Sequence, residues 1–442
     1  MKSIHQIPEV AALRSSSGVV RIPPETDVPV TPRVRRLMDT APFRRLASIS
    51  QLGLVGHVYP GTTHTRFEHS LGVYRIALLF LDRLAEDSRF AAVVDAEMAE
   101  RFIVAALLHD VGHWPFCHPI EDIGLKSVPS HESAAESQLN DTALEKALRE
   151  DWAVTPEEVV HLLSGEPRDA AERTVQSMLS GPIDVDKIDY LRRDSLHAGV
   201  PYGQNFDAPR LIQSLCMDEA GKRIAISTKG KTAAEMMVFA RYVMFSEVYW
   251  HHAVRSATAM LQRAYFELRD KPELAGMLTM TDAEMIAALR KASAGEPVED
   301  LVSGLFGPER RLYKRVAEYT FHESPDEYNQ IAHQPFEQLI TSAKKLADRL
   351  SSELGSSIST HELLIDAPPV ALEVQFQIDV FDRKADRYRR LGEISPVVRT
   401  LAKQQFDDFV KKVRVFANSR VSSALRDSSI GPQRLSAFIC SQ

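Results

Sequence analysis

The chain has 442 residues, of which 44% are apolar and 26% charged, a globular composition that excludes wholesale disorder. Lys and Arg number 53 against 60 Asp and Glu, and the net charge of −7 argues against a protein built to coat duplex DNA. The opening MKSIHQIPEV lacks the apolar stretch of a signal peptide, and the longest apolar run, Phe102–Leu108, falls far short of the roughly 20 residues that cross a bilayer. A cytoplasmic protein with no membrane partner is expected.

In chain order, residues 1–31 read as an extended arm or short hairpin, because Pro23, Pro24, Pro29 and Pro32 forbid a helix interior. From Thr31 to Gln51, Val34, Leu37, Met38, Leu46 and Ile49 recur in a broken helical pattern. A turn at Tyr59-Pro60-Gly61 precedes a predicted helix near Phe67–Leu84, and a second runs over Ala96–His109 until Gly112 stops it. Ser130 is placed to cap a helix over His131–Trp152, and Thr155-Pro156-Glu157-Glu158 is a capping box that starts another. The box recurs at Thr232…Glu235 and Thr281…Glu284. Strand alternation is confined to Arg223–Thr228 and Leu372–Val380, with a loop at Pro368-Pro369, and a final helix is predicted over Val398–Val415. The fold class is therefore mostly α, with an arm at 1–31, a helical domain at 32–270 carrying small β elements, and a C-terminal α+β lobe at 271–442.

The histidines are unevenly placed. Seven of the fifteen (His57, His64, His69, His109, His113, His118 and His131) fall in the stretch that His57 and His131 bound, far denser than even scatter. Imidazole is both the commonest metal ligand and the usual proton shuttle, so the clustering points to a site. Cys117, Cys216 and Cys440 lie far apart with no C-x-x-C, which argues against a disulfide framework or a thiolate zinc site. His109-Asp110 closes an apolar run of the buried kind, where a carboxylate must be paired or coordinated. On a helix Arg66 and His69 share a face, as do Asp186, Tyr190 and Asp194, with Lys187 at the border. Two imidazoles and two carboxylates make a mixed N/O set, suited to one catalytic divalent ion such as Mn²⁺, Fe²⁺, Mg²⁺ or Zn²⁺. Arg66 and Lys187 would neutralise phosphate, and a spare histidine would protonate a leaving oxygen.

His69…His109-Asp110…Asp186 resembles the H…HD…D signature of the HD-domain phosphohydrolases. The resemblance is closer to the SAM/HD-domain deoxynucleoside triphosphate triphosphohydrolases and their bacterial relatives. It rests on Asp39-Thr-Ala-Pro-Phe-Arg-Arg-Leu46, Gln51-Leu-Gly53, Tyr59-Pro-Gly-Thr-Thr-His-Thr-Arg-Phe-Glu-His-Ser70 and Leu108-His-Asp-Val-Gly-His-Trp-Pro-Phe-Cys-His118. His131-Glu132 and Ile183-Asp-Val-Asp-Lys-Ile-Asp-Tyr-Leu-Arg-Arg-Asp194 complete it. The resemblance implies metal ligation by His69, His109, Asp110 and Asp186. It implies a catalytic group of His113, His118, His131 and Glu132, with His118 protonating the leaving group. Arg66 and Lys187 would hold phosphates, Tyr190 and Asp194 the sugar and its 3′-hydroxyl, and Gln51 and Leu52 would border sugar and base. Two departures stand out. Ser246, Trp250 and Val254 occupy positions where the family has an Arg, a His and a Tyr, leaving His251, His252 and Arg255 as candidate substitutes. At the family's regulatory nucleotide contacts Asp39 and Arg45 match, while Ala47 replaces an Arg.

The expected reaction is dNTP + H₂O → deoxynucleoside + triphosphate. Its rivals are a nucleotide phosphatase or phosphodiesterase/single-strand nuclease of the same superfamily, and a nucleotide sensor without turnover. The expected partner is a nucleotide substrate, in a homo-oligomer, with an allosteric nucleotide as an open addition. Nucleic-acid binding at the charged segments Glu309–Arg315 and Asp382–Arg390 is disfavoured, because such runs are usually solvated faces.

Overall fold

A computed structural model describes residues 3–15, 18–24, 27–368, 377–403 and 410–440. Helices hold 61% of the chain and strands 9%, so the molecule is mostly α. Helix α1 (Arg66–Leu84) packs against α2 (Ala96–Leu108), and every residue of the run Phe102–Leu108 is buried. That apolar rod delivers His109 and Asp110 to its C-terminal end. Two short elements follow, α3 (Cys117–Glu121) and α4 (His131–Leu139). Helix α5 (Val185–Ala198) crosses α1 and is well delimited at both ends. Asp184 accepts the Lys187 amide at its start, and Gly199 takes the left-handed conformation at its end (φ 70°). Helices α6 (Lys231–Met244) and α7 (His252–Leu268) are separated by a widened turn at Phe245–Tyr249.

Strands β1 (Val19–Val20) and β2 (Val28–Pro29) form the hairpin expected in the arm. The arm is not all extended, however: Pro8–Ala12 is a helical turn whose buried Val10, with buried Ile7 before it, joins the main core. Strands β3 (Leu215–Met217) and β4 (Ile224–Ser227) are antiparallel, and the predicted Arg223–Thr228 strand corresponds to β4. The lobe contributes β5 (Lys314–Tyr319), β6 (Leu363–Asp366), β7 (Asp379–Asp382), β8 (Arg387–Arg390) and β9 (Val413–Ala417). β9 lies between β5 and β6, while β7 runs parallel to β4 with Val380 opposite Ile226, so the later chain returns to the sheet of β3 and β4. Helix α8 (Phe336–Leu354) covers β6 with Leu339, Leu346 and Leu350.

Three expectations need correction, and a fourth falls largely outside the described residues. The helix over His131–Trp152 breaks after Leu139, because Asp141 caps a new one by accepting the Ala143 and Leu144 amides. Thr232 starts nothing, since α6 begins a residue earlier and Thr232 lies within its first turn; the boxes at Thr155 and Thr281 do form. Of the predicted helix Val398–Val415, residues 398–403 are helical as part of Pro396–Lys403 and residues 404–409 lie outside the described residues, but Val413–Ala417 is a strand buried along its whole length. Of the predicted Leu372–Val380 strand, residues 372–376 lie outside the described residues, as does Pro369 of the expected loop.

Candidate functional site

Every residue expected at the site lines one cavity of about 580 Å³ between α1, α5, α6 and the short elements around α3. At its floor, four side chains converge. His109 Nδ1 lies 2.9 Å from the Ala106 carbonyl, which can only accept, so that nitrogen carries the proton and Nε2 keeps its lone pair. His69 Nδ1 lies 2.8 Å from the Asp189 carboxylate, which holds the same tautomer. The two Nε2 atoms are 3.2 Å apart, and Asp186 Oδ1 is 3.1 Å from His69 Nε2. Asp110 completes the group, with Oδ1 3.3 Å from His109 Nε2 and Oδ2 3.9 Å from His69 Nε2. Carboxylates crowded on two imidazoles call for positive charge among them, supplied by a proton on His69 or by a bound cation in its place. Burial lowers the His69 pKa, yet hydrogen bonds to Asp186 and Asp189 and the charge of Asp110 overcome it and push it up to about 10. The donor set fits a divalent ion, and His69, His109 and Asp110 offer ligand atoms within 4.8 Å of one another.

The other histidines form a second group beside the first. The His113 ring is 4.0 Å from that of His131 and 5.2 Å from that of His118, centre to centre. His113 is buried with Nδ1 3.1 Å from Asp110 Oδ1, and burial together with the Arg66 charge holds it well below the usual imidazole range. Glu121 accepts from the His131 amide at 2.7 Å and lies 3.0 Å from His131 Nδ1 and 3.4 Å from His118 Nδ1. Burial opposes ionisation of both partners, but the pairing wins: the Glu121 carboxyl is held far below the usual range and His131 is raised. Glu132 lies 3.2 Å from His131 Nε2 on the more exposed side.

The cationic wall is only partly free. Arg66 donates to Asp110 Oδ2 at 2.8 Å, and Lys187 donates to Asp184 at 2.6 Å. Both carboxylate oxygens of Asp194 are engaged, one 2.9 Å from His64 Nε2 and the other accepting from the Tyr249 hydroxyl at 2.7 Å. Burial raises the Tyr190 phenol to about 12, so it stays a neutral donor at the cavity wall. Gln51 Oε1 is buried without a hydrogen-bond partner among the described residues, an acceptor available to a ligand, and Leu52 borders it.

Sequence reasoning missed three residues here. Asp189, bound by the Arg193 guanidinium at 2.7 and 2.8 Å, orients His69, and its i,i+4 spacing to Arg193 was the available signal. Glu121 orients His118 and His131 and stands three residues after His118. Arg241, on α6, lines the cavity with its charge acting on Lys187 and Tyr190, and no local pattern marked it. The candidate substitutes fare differently. Arg255 reaches the cavity but is committed to Asp366 at 2.6 and 3.0 Å, and its guanidinium stacks 4.3 Å from the Trp250 ring. Trp250 and Val254 line the cavity, whereas Ser246, His251 and His252 do not. Arg45 points inward and donates to the Val111 and His113 carbonyls at 3.0 and 2.8 Å, bracing the His-Asp loop. Asp39 instead borders a shallow surface hollow with Arg35, Arg36 and Lys146. Among the described residues, no helix is long and apolar enough to cross a membrane.

Comparison with known proteins agrees with this geometry. The HD domain description matches residues 66–194 and the HD associated region matches residues 206–429. An uncharacterized protein of Methanocaldococcus jannaschii is 29% identical over 417 residues, covering 93% of this chain and 82% of that protein. Human deoxynucleoside triphosphate triphosphohydrolase SAMHD1 is 27% identical over 296 residues, 58% of this chain but only 46% of that protein, so the match spans about half of its length. The crystal structure of a hypothetical protein from Aquifex aeolicus superposes with a TM-score of 0.69 at 27% identity, covering 92% of this chain and 98% of the other. With one description fitting the core that carries the histidines and the other fitting nearly all that follows, the chain belongs to the HD-domain phosphohydrolase family.

Proposed function

We propose that the chain hydrolyses deoxynucleoside triphosphates to deoxynucleoside and triphosphate. The observation that carries this reading is the convergence of His69, His109, Asp110 and Asp186 on one point of a cavity whose walls bear Arg66, Lys187 and Arg241. SAMHD1, to which the HD core is similar, bears the name of that activity. A divalent ion held by those four residues would lower the pKa of water and polarise a phosphoryl oxygen. Mn²⁺, Fe²⁺, Mg²⁺ and Zn²⁺ all suit the N/O donors. Arg66, Lys187 and Arg241 orient and neutralise the phosphates, with Arg66 also holding Asp110 in place. His118, its imidazole more than half exposed at the cavity edge and turned by Glu121, donates a proton to the departing 5′-oxygen. Tyr190 packs under the sugar, where a 2′-hydroxyl has least room, and Gln51 accepts from the sugar or base. The protein works on a nucleotide as a homo-oligomer, and a second, regulatory nucleotide would show as substrate activation.

Metal-reconstituted protein is incubated with NTPs, dNTPs, monophosphates and short single-stranded DNA, and products are identified by mass. Deoxynucleoside plus intact triphosphate is expected. Release of inorganic phosphate would establish the phosphatase rival, shortened DNA the nuclease rival, and binding without any product the sensor. Equal kcat/KM for ATP and dATP would remove the deoxynucleotide reading.

A further inference from the structure

Cys117 is far from the other cysteines, and the fold adds His131 to the two histidines that flank it, His113 and His118. His113, Cys117, His118 and His131 offer ligand atoms that all lie within 4.8 Å of one another, the same spread as His69, His109 and Asp110. A tetrahedral site with one sulfur and three imidazole nitrogens needs ligand atoms about 3.3–3.6 Å apart, so a modest contraction closes the group. The side chain that must move most freely can do so, because the His118 imidazole is 60% exposed while Cys117 and His113 are buried.

A second, independent observation points to a ligand. Both ring nitrogens of the buried His113 lack a hydrogen-bond partner among the described residues, although its Nδ1 lies 3.1 Å from Asp110 Oδ1. Buried polar atoms are nearly always satisfied, so an imidazole with no partner for Nε2 implies something that the side chains present do not supply. The surroundings already have the form that metal-binding histidines adopt. Glu121 takes the Nδ1 of both His118 and His131, which leaves Nε2 of each ring as its ligand atom. Glu132, at 3.2 Å from His131 Nε2 and 40% exposed, can swing away.

We propose that His113, Cys117, His118 and His131 form a second cation site, selective for thiophilic ions such as Zn²⁺ or Co²⁺ over Mn²⁺ and Mg²⁺, whose occupancy shuts down turnover. The ion forms one metal–sulfur and three metal–nitrogen bonds, and the thiol proton leaves to solvent. The Cys117 thiolate and Glu121 carboxylate together balance its two positive charges. Selectivity follows from the sulfur, a soft ligand that hard Mg²⁺ and Mn²⁺ do not favour. Inhibition follows because the ion takes the lone pairs of the two histidines that would otherwise move protons to the leaving group. This inhibitory consequence rests on the hydrolytic reading above; the site itself does not.

The full chain is stripped with chelator and titrated with Mn²⁺, Zn²⁺ or Co²⁺ under reducing conditions, and bound metal is counted after dialysis. One equivalent of Mn²⁺ is expected, against two of Zn²⁺ or Co²⁺, the second Co²⁺ bringing a thiolate-to-cobalt charge-transfer band. Cys117→Ser should lose the band and the second equivalent. His118→Ala, at an exposed position, should lose the second equivalent as well, and it carries the test alone should Cys117→Ser fail to fold. A single equivalent of Co²⁺ in the native chain, or a band that persists in Cys117→Ser through Cys216 or Cys440, overturns the proposal. In Mn²⁺-loaded protein, added Zn²⁺ should stop dNTP turnover, and Cys117→Ser should need at least about 10-fold more Zn²⁺ for the same effect. Inhibition unchanged in Cys117→Ser means displacement at the first site and also overturns it. Absence of any turnover would defeat the hydrolytic reading alone, since the metal count and the band decide the second site.

Discussion

Asp110 answers to three neighbours at once, accepting from Arg66 while lying 3.1 Å from His113 and 3.3 Å from His109. Burial works against its ionisation, and the neighbouring His113, His109, Arg66 and His69 groups hold its carboxyl well below the usual range all the same. Asp110→Asn removes that anion but keeps the shape, so the fold should persist while metal content and turnover are both lost, as elemental analysis, circular dichroism and product assay will show. His118→Ala should lower kcat by about 10²–10⁴ with Mn²⁺ content intact, the range of a lost general acid; loss of Mn²⁺ instead would mean that His118 supports the first site. On the proposed function, Arg241, which lines the cavity, supplies the cation missing at Ser246, Trp250 and Val254. A charge-assisted contact is worth about 1.5–3 kcal/mol, so Arg241→Ala should raise KM for a dNTP roughly 10- to 150-fold and for a monophosphate far less. Equal effects on both would place the guanidinium away from the phosphate tail.

The His-Asp loop connects α2 to α3, and its path depends on close backbone approach. A Cβ at Gly112 would stand 2.2 Å from the His131 carbonyl oxygen and 2.5 Å from the Ala135 nitrogen, both backbone atoms of α4. Helix α4 must therefore lie directly on Gly112, which brings His131 over His113. Gly112→Ala pushes α4 outward at a cost of about 1–3 kcal/mol, the usual range for overpacking, measurable as a lower urea midpoint. Turnover should fall with it, while Mn²⁺ binding, built from α1, α2 and α5, is kept. Unchanged stability would mean that α4 can shift without resistance.

The whole molecule carries a pH dependence that follows from the acidic centre. Asp110, Asp186 and Asp189 are all held below their ordinary range, whereas His69 is raised from 6.5 to about 10. A group whose folded pKa lies above its unfolded value contributes stability that is complete below pH 6.5 and lost as pH rises to about 10. Metal-free protein should therefore lose thermal stability across that window. A divalent ion competes with the same proton, so the Tm gain on adding Mn²⁺ should grow from pH 6.5 to 10. Differential scanning fluorimetry with chelator or Mn²⁺ measures it, and a gain independent of pH would show that His69 exchanges no proton on binding.

Much of the site could be read along the chain, because it rests on local spacing. His109 and Asp110 are adjacent at the end of an apolar helix, Arg66 and His69 are a turn apart on α1, and Asp186, Tyr190 and Asp194 lie on one face of α5. Such relations hold wherever the helix sits in space, and the family motif preserves their order. The rest required the fold. Arg241 is one charged residue in an otherwise ordinary helix, and only the packing of α6 across the cavity makes it a site residue. Cys117 lies beside His118 and four residues after His113, but it meets His131 only because α4 lies on Gly112. The start of β9, Val413–Val415, falls in the predicted helix because a short apolar run carries no period that separates a buried strand from a buried helix, and its pairing partners, β5 and β6, begin 99 and 50 residues earlier. Periodicity records which face of an element is apolar; which partner that face meets, and which charges it brings together, is decided by contacts between distant segments.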